Sequence, residues 1–200
     1  MAGVLSKLRP QTRTARIIAE YGLTAVVAIA VAVAVQSFVV KPYLIPSSSM
    51  ANTLVPGQRI LVDRLAYRFG SVHRGDIVVF RGPQPPQEVM IKRVVGLPGD
   101  VLSIRDGRLY VNDTPSPDLF VDRIAGAAEP TMPPDPNTSD DPGAAWSLAR
   151  PYRVPAGCYF VMGDNRTDSD DSRYWGPVPH GAIIGEAFLS YWPPARIGGL

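Results

Sequence analysis

From Tyr21 to Val40 the chain runs for twenty residues without a charge, and nearly all of them are Ala, Val, Ile, Leu or Phe. A helix needs about 20 such residues to cross roughly 30 Å of hydrocarbon at about 1.5 Å of rise per residue. Thr24, Gln36 and Ser37 are isolated polar interruptions, so the run lacks the polar face of an ordinary core helix. It also exceeds the roughly 7–15 apolar residues of a cleavable secretory signal, although Ala-x-Ala triplets occur within it. The expectation is a retained transmembrane helix over 21–40, with the lipid bilayer as a partner. Lys7, Arg9, Arg13 and Arg16 precede it against the single Glu20, whereas Lys41 is the only basic residue in the dozen that follow. The positive-inside rule then puts a basic tail, 1–20, in the cytoplasm and residues 41–200 on the extracytoplasmic side of the cell membrane, in a single pass.

The remainder is long enough for one compact domain and too short for two large ones. A formal charge of +2, with basic and acidic residues interspersed, points to no nucleic acid or other polyanion. Cys158 is the only cysteine, which excludes an internal disulfide and a cysteine-based zinc cage. His73 and His180 are the only histidines and read as ordinary surface or loop residues, so chemistry without histidine is favoured. Oligomeric state leaves no mark on the sequence.

Beyond Pro42 the pattern changes to short β-rich runs separated by turn residues. These are Arg59–Arg64, Ile77–Arg81, Ile91–Val95, Val101–Arg105, Arg108–Asn112, Tyr159–Met162 and Ala187–Trp192. They predict a mainly β, largely antiparallel domain. Asp106-Gly107 between two of the runs predicts a two-residue type I′ hairpin. Pro56-Gly57, Pro98-Gly99 and Pro155 with Gly157 mark loops. Residues 114–151 stand apart, with eight prolines, six carboxylates and few β-branched residues. That composition predicts an inserted, poorly ordered surface excursion.

Three segments carry possible chemistry. Ile45-Pro46-Ser47-Ser48-Ser49-Met50 places a serine cluster just after the apolar run, a pattern that on its own is an ordinary loop. In Met90-Ile91-Lys92-Arg93-Val94-Val95 a strand's two-residue period puts Lys92 on one face with Met90 and Val94. If that face is packed, desolvation disfavours the ammonium and lets the lysine act as a base toward a serine hydroxyl. The third segment, Gly163 to Gly176, is dense in hydrogen-bonding side chains, but no frame through Asp164 or Asp168 supplies the ligand pattern of an EF-hand calcium loop. No metal or cofactor is expected. A structural network fits better, with Asp171 and Arg173 paired and Ser169 reaching toward the base.

Together with Gly75-Asp76-Ile77-Val78-Val79-Phe80 and Gly96-Leu97-Pro98-Gly99-Asp100, these segments resemble the ordered motif set of bacterial type I signal peptidases. The resemblance implies two antiparallel sheets and removal of signal peptides from exported preproteins after small residues of the Ala-x-Ala type. It implies Ser49 as nucleophile, Lys92 as general base, and Ser47 with the Ser49 backbone N–H as oxyanion hole. Ser169 would orient Lys92, Asp171 and Arg173 would form a supporting ion pair, and Ile45, Met50, Leu54, Met90 and Ile91 would line shallow apolar pockets. Ala51-Asn52 and Thr167-Asp168 depart from the commoner residues of those motifs. Two rivals are a sortase using Cys158, which leaves the serine and lysine segments without a role, and a non-catalytic anchored binding domain. Self-cleaving repressors share serine–lysine chemistry but carry a DNA-binding segment where this chain has its apolar run.

Overall fold

The computed structural model describes residues 13–117, 120–121, 123–124, 127–128, 130–133, 145–148 and 150–200. The chain divides after Val40 into a helical unit and a compact unit, Lys41–Leu200. Helix α1, Arg13–Phe38, has 26 residues and so extends back from the apolar run into the basic segment. Arg16 pairs with Glu20 one turn on, at 3.3 Å, and Thr24 Oγ1 donates to the Glu20 carbonyl at 2.9 Å. Among the described residues α1 is the one helix long and apolar enough to cross a membrane, and nothing in its window Arg16–Val33 is buried. Its apolar side chains, Val26, Ile29 and Val31 among them, are exposed.

After α1 come β1, Val40–Leu44, and β2, Arg59–Asp63, then a single helical turn α2, Ala66–Phe69, and β3, Ile77–Arg81. Strand β4, Val89–Gly96, leads into the hairpin of β5, Val101–Arg105, and β6, Arg108–Val111. At its tip Asp106 and Gly107 have φ of 49° and 72°, the positive pair a type I′ turn requires. Short pairings follow: β7 (Thr114–Pro115), β8 (Arg123–Ile124), β9 (Ala127–Ala128) and β10 (Tyr152–Arg153). Then come β11, Cys158–Met162, a helical turn α3, Ser172–Trp175, β12, Val178–Pro179, the long β13, Ile183–Trp192, and β14, Gly198–Gly199.

An eight-stranded sheet has the order β1-β2-β13-β3-β4-β11-β12, with β14 added to β13. A four-stranded antiparallel sheet, β10-β5-β6-β7, accompanies it, and β8 pairs with β9 as a separate hairpin. The predicted mainly β fold with two antiparallel sheets is what forms. Leu102, Leu109 and Leu148 pack with Val95, Phe160 and Met162, so the residues between the two sheets make one of three apolar clusters. The other two lie on the large sheet, one built on Ile45, Met50, Leu54 and Val62, the other on Val78, Phe80, Val94 and Val161.

Within 114–151 the described residues include buried Val121, Thr131, Ser147 and Leu148. The expectation of poor order rests chiefly on 134–144, which lie outside the described residues.

Candidate active site

Strand β4 is covered on both faces from Lys92 onward, because its two faces meet different clusters: Met90 and Val94 pack with Val78 and Phe80, while Ile91 packs with Ile45 and Met50. Lys92 lies opposite Val78 in the β3 ladder. On the other side the β11 ladder stops at Arg93, opposite Met162, so the β4 backbone from Met90 to Lys92 lies beyond the β11 partner. The serine cluster folds back over this region as consecutive tight turns, with Ala51 N donating to Ser48 O at 2.8 Å and Leu54 N to Met50 O at 2.7 Å. Met50 and Leu54, both fully buried, fasten these turns to the core.

The result is a contact between two segments far apart in sequence. Lys92 Nζ donates to Ser49 Oγ at 2.6 Å, with Ser49 8% exposed and Lys92 4%. Ser47 Oγ is 3.4 Å from Ser49 Oγ. Burial in apolar surroundings pushes the Lys92 amine below its ordinary range. Asp171, Asp170 and Asp168 pull it back up, and Arg173 reinforces the depression. Desolvation outweighs the three carboxylates.

Asp171 sits behind this pair, fully buried. Its carboxylate accepts from Arg173 Nε at 2.8 Å and Nη2 at 2.9 Å, from Ser169 Oγ at 2.8 Å and from Gly163 N at 3.0 Å. Burial alone would raise its pKa, but the Arg173 charge and these hydrogen bonds together hold it below the usual carboxylate range. Asp171 also caps α3 by accepting from Arg173 N. Ser169 therefore reaches the site through its bond to Asp171.

A second ion pair escaped the sequence reading. Arg93 Nε and Nη2 make a two-point contact with Asp164, at 2.8 and 2.7 Å, and Thr53 Oγ1 donates to the same carboxylate at 2.6 Å. Arg93 Nη1 also donates to Gly75 O at 2.7 Å. Strand β4, the serine turns and the 163–171 loop are thus tied at one buried carboxylate. The available signal was the strand period itself: alternation puts Arg93 opposite in face to Lys92, and a buried arginine needs a carboxylate. Ser48 Oγ likewise donates to Asp168, a second tie between the serine turns and that loop. Asp164, Asp168 and Asp171 are each engaged by protein donors.

Of the five residues expected to line pockets, Ile45, Met50, Leu54 and Ile91 come together in one cluster. Met90 lies with Val78 and Phe80 instead, as the strand's alternation requires. At Gly163 the loop passes close to the serine segment, for a Cβ there would overlap Ser169 Oγ and the Ser49 carbonyl oxygen. Gly163→Ala is therefore expected to displace both serines and cost at least tenfold in activity, an effect of misplacement on the order of 1 Å. Steady-state cleavage rates of the folded variant check this.

The sequence pattern of the family described as "Signal peptidase, peptidase S26" matches residues 18–192. The chain belongs to that family. A signal peptidase I of Pseudomonas aeruginosa is 36% identical over an alignment that spans 98% of this chain and 80% of that protein. A probable signal peptidase I-2 of Synechocystis is 35% identical over 90% of this chain and 75% of its own length. Signal peptidase I V of Bacillus subtilis is 37% identical over 82% and 92%. The chain is a serine peptidase with signal peptidase I function, and preproteins are its substrates.

Proposed function

We propose that the chain cleaves preproteins after small residues of the Ala-x-Ala type, with Ser49 as nucleophile and Lys92 as general base, through an acyl-enzyme. The observation that carries this reading is the 2.6 Å contact between two buried side chains, one of them an amine whose charge is disfavoured by its surroundings. With the amine neutral, the contact reverses direction and Ser49 Oγ–H donates to Nζ. Attack on the scissile carbonyl then moves the hydroxyl proton to Lys92 while the carbonyl oxygen takes up the negative charge. Ser47 Oγ and the Ser49 N–H receive that charge. Collapse breaks the C–N bond, and Lys92 hands its proton to the departing amine. Water, deprotonated by the again neutral lysine, releases the acyl group and restores Ser49.

An extended substrate has a place to pair, because β4 between Met90 and Lys92 lies beyond the β11 ladder. Of this apolar cluster Ile91 is partly exposed, while Ile45, Met50 and Leu54 are covered and support it from below, so little depth is left. Alanine fits such a surface and larger side chains do not. Met90 contributes from the other face of the strand. In this reading the apolar run 21–40, most of it in α1, anchors the enzyme, the basic tail 1–20 is cytoplasmic, and residues 41–200 form the catalytic domain at the outer bilayer surface. Tethering there raises the effective concentration of membrane-held signal peptides.

The test is cleavage of a preprotein carrying an Ala-x-Ala site, followed across pH. Activity is expected to rise with pH as Lys92 loses its proton, with a midpoint well below the ~10.4 of ordinary lysine. A limb appearing only near that value would overturn the desolvated base. Cleavage at a site with bulky residues, as fast as at Ala-x-Ala, would overturn the specificity.

A further inference from the structure

Three residues of the 114–151 stretch touch three different arginines around the site. The Phe120 ring lies over the Arg93 guanidinium, with Cζ 3.8 Å from the ring centroid. Thr131 Oγ1 accepts from Arg166 Nη1 at 2.7 Å, and the Met132 carbonyl accepts from Arg173 Nη1 at 3.0 Å. Thr131 is itself buried.

Each arginine in turn holds a part of the catalytic arrangement. Arg93 fixes Asp164 and, with Thr53, the serine turns. Arg166 Nε donates to Gly163 O at 2.9 Å, at the residue pressed against Ser49 and Ser169. Arg173 holds Asp171 and donates to Arg166 O at 2.8 Å. A cavity of about 90 Å³ has Arg93, Arg166, Phe120 and Val121 among its lining residues. Its presence means Arg93 has room to move once the ring is gone.

We propose that Phe120, Thr131 and Met132 are positioning residues for cleavage: ring, hydroxyl and carbonyl hold Arg93, Arg166 and Arg173 in the one arrangement that keeps Lys92 and Ser49 in contact. The proposal rests on the Ser49–Lys92 reading and adds to it a use for the stretch whose composition reads only as a surface excursion. The charged groups facing Lys92 are Asp168, Asp170, Asp171 and Arg173. Loosening the arginines admits water beside the amine and weakens the repulsion from Arg173. Both changes favour the ammonium form, so the acid limb of activity moves to higher pH.

The experiment uses the full chain in four variants, Phe120→Ala, Phe120→Tyr, Thr131→Val and Thr131→Ser, with kcat, KM and the pH profile measured on one preprotein. Phe120→Ala and Thr131→Val are expected to lower kcat by about tenfold to a hundredfold, the cost of a misplacement of order 1 Å, with KM nearly unchanged and the acid limb moved up. Phe120→Tyr keeps the ring and Thr131→Ser keeps the hydroxyl, so each restores rate and limb. An acid limb that stays put in the Ala and Val variants overturns the proposal, whether or not activity or thermal stability falls. Failure of the conservative variants to restore the limb also overturns it. Lys92→Ala, run in the same assay, separates the two readings: activity there sinks the base assignment, whereas an inactive Lys92→Ala beside unmoved limbs sinks the positioning role alone.

Discussion

Ser49→Ala and Lys92→Met are each expected to lower preprotein cleavage by about 10⁴-fold or more, because the proposed nucleophile and base would act as one unit, neither working alone. For the same reason the double variant is expected to be scarcely worse than either single one. The physical basis is the isolation of the pair. Lys92 Nζ and Ser49 Oγ are 2.6 Å apart, both side chains are buried, and the described histidines are exposed and cannot substitute. Stability moves the other way. Lys92→Met replaces a desolvated amine with an apolar chain of similar length on a strand face shared with Met90 and Val94, so the fold should be as stable as before or more so. Cleavage assays beside thermal unfolding check both statements. Activity within about tenfold of the unaltered enzyme in either variant would remove that residue from the chemistry. A large loss of stability in Lys92→Met would mean that the amine is held charged, against the desolvation argument.

The strands legible in the sequence were those with a period or a turn to announce them. Ile77–Arg81 and Val101–Arg105 form over the predicted residues, and the Asp106-Gly107 turn fixes its hairpin locally. Strand β13 begins at Ile183, four positions before the predicted Ala187, since pairing with β3 extends it through Gly185, a residue with no β preference of its own. Two-residue strands such as β7, β12 and β14 exist only because a partner lies beside them, and no window of sequence contains that partner. Strand order is hidden for the same reason: β13 lies between β2 and β3, a placement set by long-range packing.

The site shows the same division. Ser49 and Lys92 stood out because the segments that carry them, each ordinary in its local setting, together match a known set of motifs. Arg93 looked like an ordinary strand arginine until its carboxylate was located more than seventy positions away, at Asp164. Phe120 and Thr131 lie in a stretch whose proline and acid content argues for surface, and composition averages over the few residues that turn inward. Met90 and Ile91 are grouped by similarity as pocket residues, and alternation along β4 sends their side chains to different clusters.

Asp171→Asn is expected to cost roughly 3–5 kcal/mol of stability, because it removes the charged carboxylate from a buried ion pair with Arg173, itself buried. An amide keeps the shape, but it places an NH₂ where an oxygen now accepts. Asp171 uses both oxygens: Oδ1 takes Arg173 Nε and N, while Oδ2 takes Arg173 Nη2, Ser169 Oγ and Gly163 N. Whichever way the amide turns, one set of donors faces another donor. For a domain of this size the loss lowers the unfolding midpoint by on the order of 10 °C. The pH dependence follows from the carboxyl's depressed pKa in the folded state. The stabilisation is fully present above the unfolded value of about 3.9 and is lost as pH falls toward the lower folded value, and the Asn variant should lack that acid-dependent part. Thermal melts of both proteins between about pH 7 and pH 3 measure this: the gap in midpoint should be widest near neutrality and narrow as the unaltered protein protonates. A gap that stays constant with pH would show that Asp171 acts through shape and not charge. Activity should fall with stability but for a separate reason, since Asp171 also fixes Ser169 and Gly163 against Ser49, and Arg173 loses its place beside Lys92. The ion pair is therefore expected to serve the fold and the proposed base at once.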